Sequence, residues 1–166
     1  PGPQSTNQNT PLVFSSGNGN QISVADVDAG TNAVQVTLTA TNGTLTLSGT
    51  AGLAFTVGDG TADATMTFTG TIANINTALN GMTFTPTAGF SGAASLTITT
   101  NDQGNSGSGG PLSDTDVVNI QVATNVGVQD AQLVEPSSGP QNMIFTVTLS
   151  APAPAGGASV QFTTQQ

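Results

Sequence analysis

The chain has 166 residues, a formal net charge of -9, and no Lys, Arg, His or Cys. With no cationic side chain to neutralise phosphates, nucleic-acid binding and polybasic attachment to anionic lipid are excluded. No apolar run is long enough to span a bilayer, so direct membrane insertion is not expected, and the lack of cysteine removes disulfides and thiol chemistry.

Hydrophobic content is low, at 36 %. Apolar and polar residues nevertheless alternate clearly, which favours thin β-sandwich cores over disorder. The start at Pro1, with neither Met nor a signal peptide, fits a processed product or an excerpt of a longer chain. Residues 1–11 are polar and punctuated by proline, and they read as a linker or N-terminal segment. Leu12-Val13-Phe14 begins the first expected strand, and residues 16–21 turn it. Val34-Gln35-Val36-Thr37-Leu38-Thr39 is the clearest period-2 run. Asn42-Gly43 then predicts a tight hairpin into Thr44-Leu45-Thr46-Leu47-Ser48. Asn42-Gly43-Thr44 also fits an N-glycosylation pattern, but the turn accounts for it without a sugar.

Two further runs, residues 53–57 and 65–69, flank a turn that opens with Gly58-Asp59-Gly60. Asp59 and Asp63 read as hairpin residues there. Ile72, Ile75 and Leu79 recur at helical spacing, and Gly81 stands where a C-terminal cap would fall, so one short helix is predicted over Ile72–Leu79. Met82-Thr83-Phe84-Thr85 alternates again before Pro86, and residues 89–92 form a loop. Leu96-Thr97-Ile98-Thr99 is the next strand, stopped by residues 101–105. Residues 104–110 read as a flexible loop and 116–122 as a closing strand. Phe14, Phe55, Phe68, Phe84 and Phe90 are assigned to the core. A boundary is expected over residues 123–127, leaving 12–122 as one β-sandwich and 128–166 as a partial second one. In that second part, residues 143–150 and 159–163 alternate as strands do.

The chemistry on offer is narrow. Ser and Thr are plentiful, but no His, Cys, Lys, Arg or Tyr can activate them, so an enzyme is not expected. Asp26, Asp28, Asn101, Asp102, Asp114 and Asp116 fall at strand ends or in loops. Two carboxylates spaced two apart on a strand share one face. Calcium takes six to eight oxygen ligands from such groups, and a divalent ion is the simplest counter-charge in a chain without bases. Asp and Asn are equally good turn formers, which leaves each pair as either a ligand set or a turn.

The segment ANINTALNGMTFTPTAGFSGAASLTITTNDQGN, residues 73–105, resembles the cadherin-like repeats of large bacterial surface proteins and adhesins. Upstream, Ile22 with Asp26, Asp28 and Gly30 fits the start of such a repeat. Downstream, residues 107–116 fit its last hairpin, so the resemblance runs over about 9–122. It implies an immunoglobulin/cadherin-like sandwich and tips Asp26 and Asp28 toward calcium. At the junction of residues 7–11, Asn9 and Thr10 depart from the Asn-Asp-Ala-Pro type of these repeats. Residues 126–166 resemble the N-terminal part of a Calx-beta domain, in which Glu135 matches an acidic calcium ligand of the first loop.

The expected fold is therefore all-β, one sandwich with a single short helix followed by a partial second sandwich. The expected role is an extracellular, secreted structural module of a repetitive bacterial surface protein. It would be a filament or stalk building block, a homo-oligomer or filament joined through β-edges. The alternative is a calcium-dependent adhesin segment that binds a ligand through its loops.

Overall fold

A computed structural model describes residues 1–27, 29–105, 110–128 and 146–150. The chain divides into two compact units, Pro1–Ala123 and Thr124–Gln166. In its described residues the first unit is an all-β, sandwich-like fold of nine strands and one helix. Its strands are β1 (Gln4–Asn7), β2 (Leu12–Phe14), β3 (Ala33–Thr41), β4 (Gly43–Thr46), β5 (Ala54–Val57), β6 (Thr65–Thr71), β7 (Met82–Pro86), β8 (Gly92–Asn101) and β9 (Ser113–Ala123). Helix α1 spans Ile72–Leu79, the span that its apolar spacing predicts.

A six-stranded sheet runs β1-β9-β8-β3-β6-β5, and a three-stranded sheet runs β2-β7-β4. Alternation decides which face is buried. On β3, Val34, Val36, Leu38 and Ala40 point inward, while Gln35, Thr37 and Thr39 are half-buried on the outer face. Met66 and Phe68 on β6, Leu96 and Ile98 on β8, and Val118 and Ile120 on β9 continue the same inner layer. From the smaller sheet come Phe14, Leu45, Met82 and Phe84, and one contiguous core contains all of these. The Phe55 and Phe68 rings meet at 5.3 Å in a tilted arrangement. Phe90 is only partly buried against that core.

The Asn42-Gly43 hairpin does not form. β3 pairs with β6 and β8, whereas β4 joins the other sheet beside β7. Asn42, at φ 56°, instead turns the chain from one sheet to the other. Gly43 is required just beyond it, because a Cβ there would lie 2.6 Å from the Thr85 carbonyl and against the Phe84 ring.

Residues 1–11 are more than a linker. β1 lies parallel to β9, with Gln4 opposite Ile120 and Asn7 opposite Ala123. Gln8 is buried, its backbone N–H bonded to the Ala123 carbonyl and its side-chain amide donating to the Gly89 carbonyl. Thr71 caps α1, its hydroxyl accepting from the Asn74 N–H at 3.3 Å. Gly81, at φ 100°, follows the helix as expected, but its N–H bonds the Phe14 carbonyl of β2 and not a helix carbonyl.

In the second unit, β10 (Val126–Val128) pairs antiparallel with β11 (Val147–Leu149). β10 begins inside the stretch 123–127 that the sequence reads as a linker, and β11 falls within the run 143–150. The strand expected over 159–163 lies outside the described residues.

Candidate functional site

The segment after β2 has no regular structure, yet it is held firmly. Ile22 and Val24 are buried, and the Asn76 side chain on α1 clamps Val24 from both sides. Its Oδ1 accepts from the Val24 N–H and its Nδ2 donates to the Val24 carbonyl, each at 2.8 Å. This brings residues 23–26 to the inner face of the larger sheet, at the end where β8 finishes and β9 starts.

A cleft of about 360 Å³ lies there, lined by Ser23, Val24, Ala25, Asp26, Ile98, Thr100, Asp102, Leu112, Ser113, Asp114 and Asp116. Four of the seven sequence-predicted residues therefore gather around one opening. Asp114 and Asp116 stand opposite Thr100 and Ile98, and they share the face of β9 that carries Val118 and Ile120 further along. That is the arrangement expected for two carboxylates spaced two apart on a strand. Both are exposed.

The other two carboxylates are engaged with the backbone. Asp102 is buried, and its Oδ1 accepts from the Gly104 N–H at 2.9 Å and the Leu112 N–H at 2.7 Å. It thereby closes the neck of the loop between β8 and β9. Asp26 Oδ1 accepts from the Ala29 N–H at 3.0 Å, a local turn. Asn101 does not line the cleft. It folds the same loop neck from the other side, accepting from the Gln103 N–H at 2.8 Å and donating to the Ser113 hydroxyl at 2.7 Å. Asp28 and Glu135 lie outside the described residues, as do residues 106–109 of the loop expected over 104–110.

Among the described residues, no three acidic side chains converge closely enough to hold a metal ion. The cleft thus concentrates negative charge without forming a closed cage of oxygens. What it offers a cation is an open rim, made of the Asp114 and Asp116 carboxylates, with Thr100, Ser113 and Ser23 among the other lining residues; the Ser113 hydroxyl itself is bonded to Asn101. Those three hydroxyl residues were not foreseen, because Ser and Thr are too common in this chain to stand out. Asp59 and Asp63 serve the β5–β6 turn. Asp63 Oδ2 accepts from the Asp59 and Gly60 N–H groups, and Asp59 Oδ1 accepts from the Thr61 N–H.

No protein-family model, curated protein or solved structure matches the chain.

Proposed function

We propose that the chain is a structural module of a repetitive bacterial surface protein, working outside the cell as a segment of a stalk or filament. The observation that supports this reading is the succession of β units. β9 ends at Ala123 and β10 begins at Val126, so only Thr124 and Asn125 connect the first sandwich to the next sheet. A connector that short suits modules that follow one another in a row, since it leaves little slack chain between them. The resemblance to cadherin-like and Calx-beta modules agrees with the all-β architecture and gives the same role. Electron microscopy of the native material tests the reading. Elongated particles or fibres with an axial repeat are expected, and compact particles with no repeat would overturn it.

The acidic cleft favours a second reading, a calcium-responsive adhesin segment. Carboxylates at Asp26, Asp102, Asp114 and Asp116 repel one another in a chain that has no basic side chain. A divalent cation held at the rim, largely through water, relieves that repulsion. The expected affinity is weak, roughly 0.1–1 mM, as in extracellular modules. Calcium should then raise the melting temperature of metal-free protein, and identical melting curves in EDTA and in excess calcium would remove this reading.

A further inference from the structure

The outer face of the six-stranded sheet carries no charge on its strands and is the larger of the two uncharged sheet faces among the described residues. Its outward-facing positions, mostly half-buried, are Gln35, Thr37, Thr39 and Thr41 on β3, and Thr65, Thr67 and Thr69 on β6. Ser95, Thr97 and Thr99 on β8, and Thr115, Val117 and Asn119 on β9, complete it. The strand register lines these residues up in rows. Thr115, Thr99, Thr37, Thr67 and Val57 form one row across five strands, and Val117, Thr97, Thr39 and Thr65 form the next. The carboxylates of β9 point the other way, into the cleft.

The hydroxyls of this face bond to one another. Thr37 pairs with Thr67 at 3.0 Å, Thr99 with Thr115 at 2.9 Å and Thr41 with Ser95 at 2.9 Å. A hydroxyl already satisfied within the sheet loses less when water is removed from above it. β-branched side chains are also stiff at χ1, so little rotamer freedom remains to be lost on contact. Val57 and Val117, 48 % and 55 % exposed, add apolar area at two places on the face.

We propose that this face is the contact by which two copies of the chain associate, sheet against sheet. Charge selects the partner. Each copy carries -9 with nothing to offset it, and the threonine face lets two copies meet without bringing carboxylates together; the outer face of the smaller sheet is also uncharged but spans only three short strands. Shape selects it too. Strands in a sheet rotate by roughly 20–25° from one to the next, which suits a second twisted sheet packed at about 30° and defeats a flat crystalline lattice such as ice or a stacked polysaccharide. No aromatic ring stands on the face to stack against a sugar. Five strands about 4.8 Å apart, over seven residues of about 3.4 Å, give two facing copies on the order of 1,000 Å² of contact. That is the lower end of specific interfaces, so the association is reversible.

The inference extends the assembly reading above but rests on the first unit alone, and its test is separate from the search for fibres. Sedimentation equilibrium of the full chain, from micromolar to about 1 mM, should show a monomer–dimer equilibrium that tightens with added salt as self-repulsion is screened. Thr37→Glu with Thr99→Glu should weaken it by about tenfold or more, since like charges would face each other at the centre of the contact. Thr37→Lys with Thr99→Lys should also weaken it, and an equal mixture of the two variants should restore association. Thr85→Glu, on the smaller sheet, should leave it unchanged. Circular dichroism checks that each variant folds, and Thr97→Glu replaces any that does not. A wild-type chain that stays monomeric throughout, a Glu variant that associates like wild type, or a mixture that fails to recover would each overturn the proposal.

Discussion

Strand β9 passes through two environments along its length. From Val118 onward its inward residues are buried, and β1 lies beside Ile120–Ala123. Before Val118 the same inward positions hold Asp116 and Asp114, and the sandwich opens into a cleft. The pleat does not change between the two halves; only the side chains on it do. Val118 and Ile120 gain by leaving water, whereas two carboxylates would each lose their hydration with no basic side chain to compensate. The end of the sandwich where carboxylates replace apolar residues therefore stays open. Stability should lie at the closed end, and sensitivity to ions at the open one.

Removing packing from the closed part gives the sharpest test. Phe84→Ala takes a fully buried ring out of the contact between the sheets and should cost about 3–5 kcal/mol in urea unfolding. A loss below about 1 kcal/mol would show that the closed part does not dominate stability.

At the open end the expected effects are smaller, and they depend on which atom is lost. Asp102→Ala leaves the Gly104 and Leu112 N–H groups without their acceptor, which should cost about 1–3 kcal/mol. Asp102→Asn keeps an oxygen for the same two donors and should be milder. If the two variants fell equally, negative charge and not hydrogen bonding would be what Asp102 supplies. The smallest effect is expected from Asp114→Asn combined with Asp116→Asn. Relief of like-charge repulsion should raise the melting temperature slightly in metal-free, low-salt buffer, and added salt should erase the gain. A clear fall in melting temperature would mean that these carboxylates hold something in place.

Sequence reveals the closed part better than the open one. Period-2 alternation in β3, β7 and β8 and the spacing of Ile72, Ile75 and Leu79 report burial directly, because burial is what selects those residues. Pairing leaves a weaker trace. Asn42-Gly43 signals a left-handed turn, but the dipeptide does not encode which sheet receives the next strand. Gln4-Ser5-Thr6-Asn7 has no apolar residue at all, so nothing in it announces that its backbone completes a sheet edge. The acidic cleft was legible residue by residue and not as a place. Asp26, Asp102, Asp114 and Asp116 meet because Asn76 holds the segment at Val24 over the sheet, a contact across 52 positions that no local pattern carries.

The parallel pairing of β1 with β9 also sets the order in which the first unit can be completed. Gln4 is synthesised well before its partner Ile120, which is made near the end of the unit. The first strand must therefore wait, unpaired, until the last has joined β8. Loop closure over nearly the whole unit comes before the contacts that reward it, which slows folding relative to a chain of local hairpins. A chain cut anywhere before Ser113 loses β9, and with it the partners of both β1 and the outer edge of β8. The β8 edge would then be free to recruit strands from other chains, so truncated or stalled products should aggregate more readily than the finished unit.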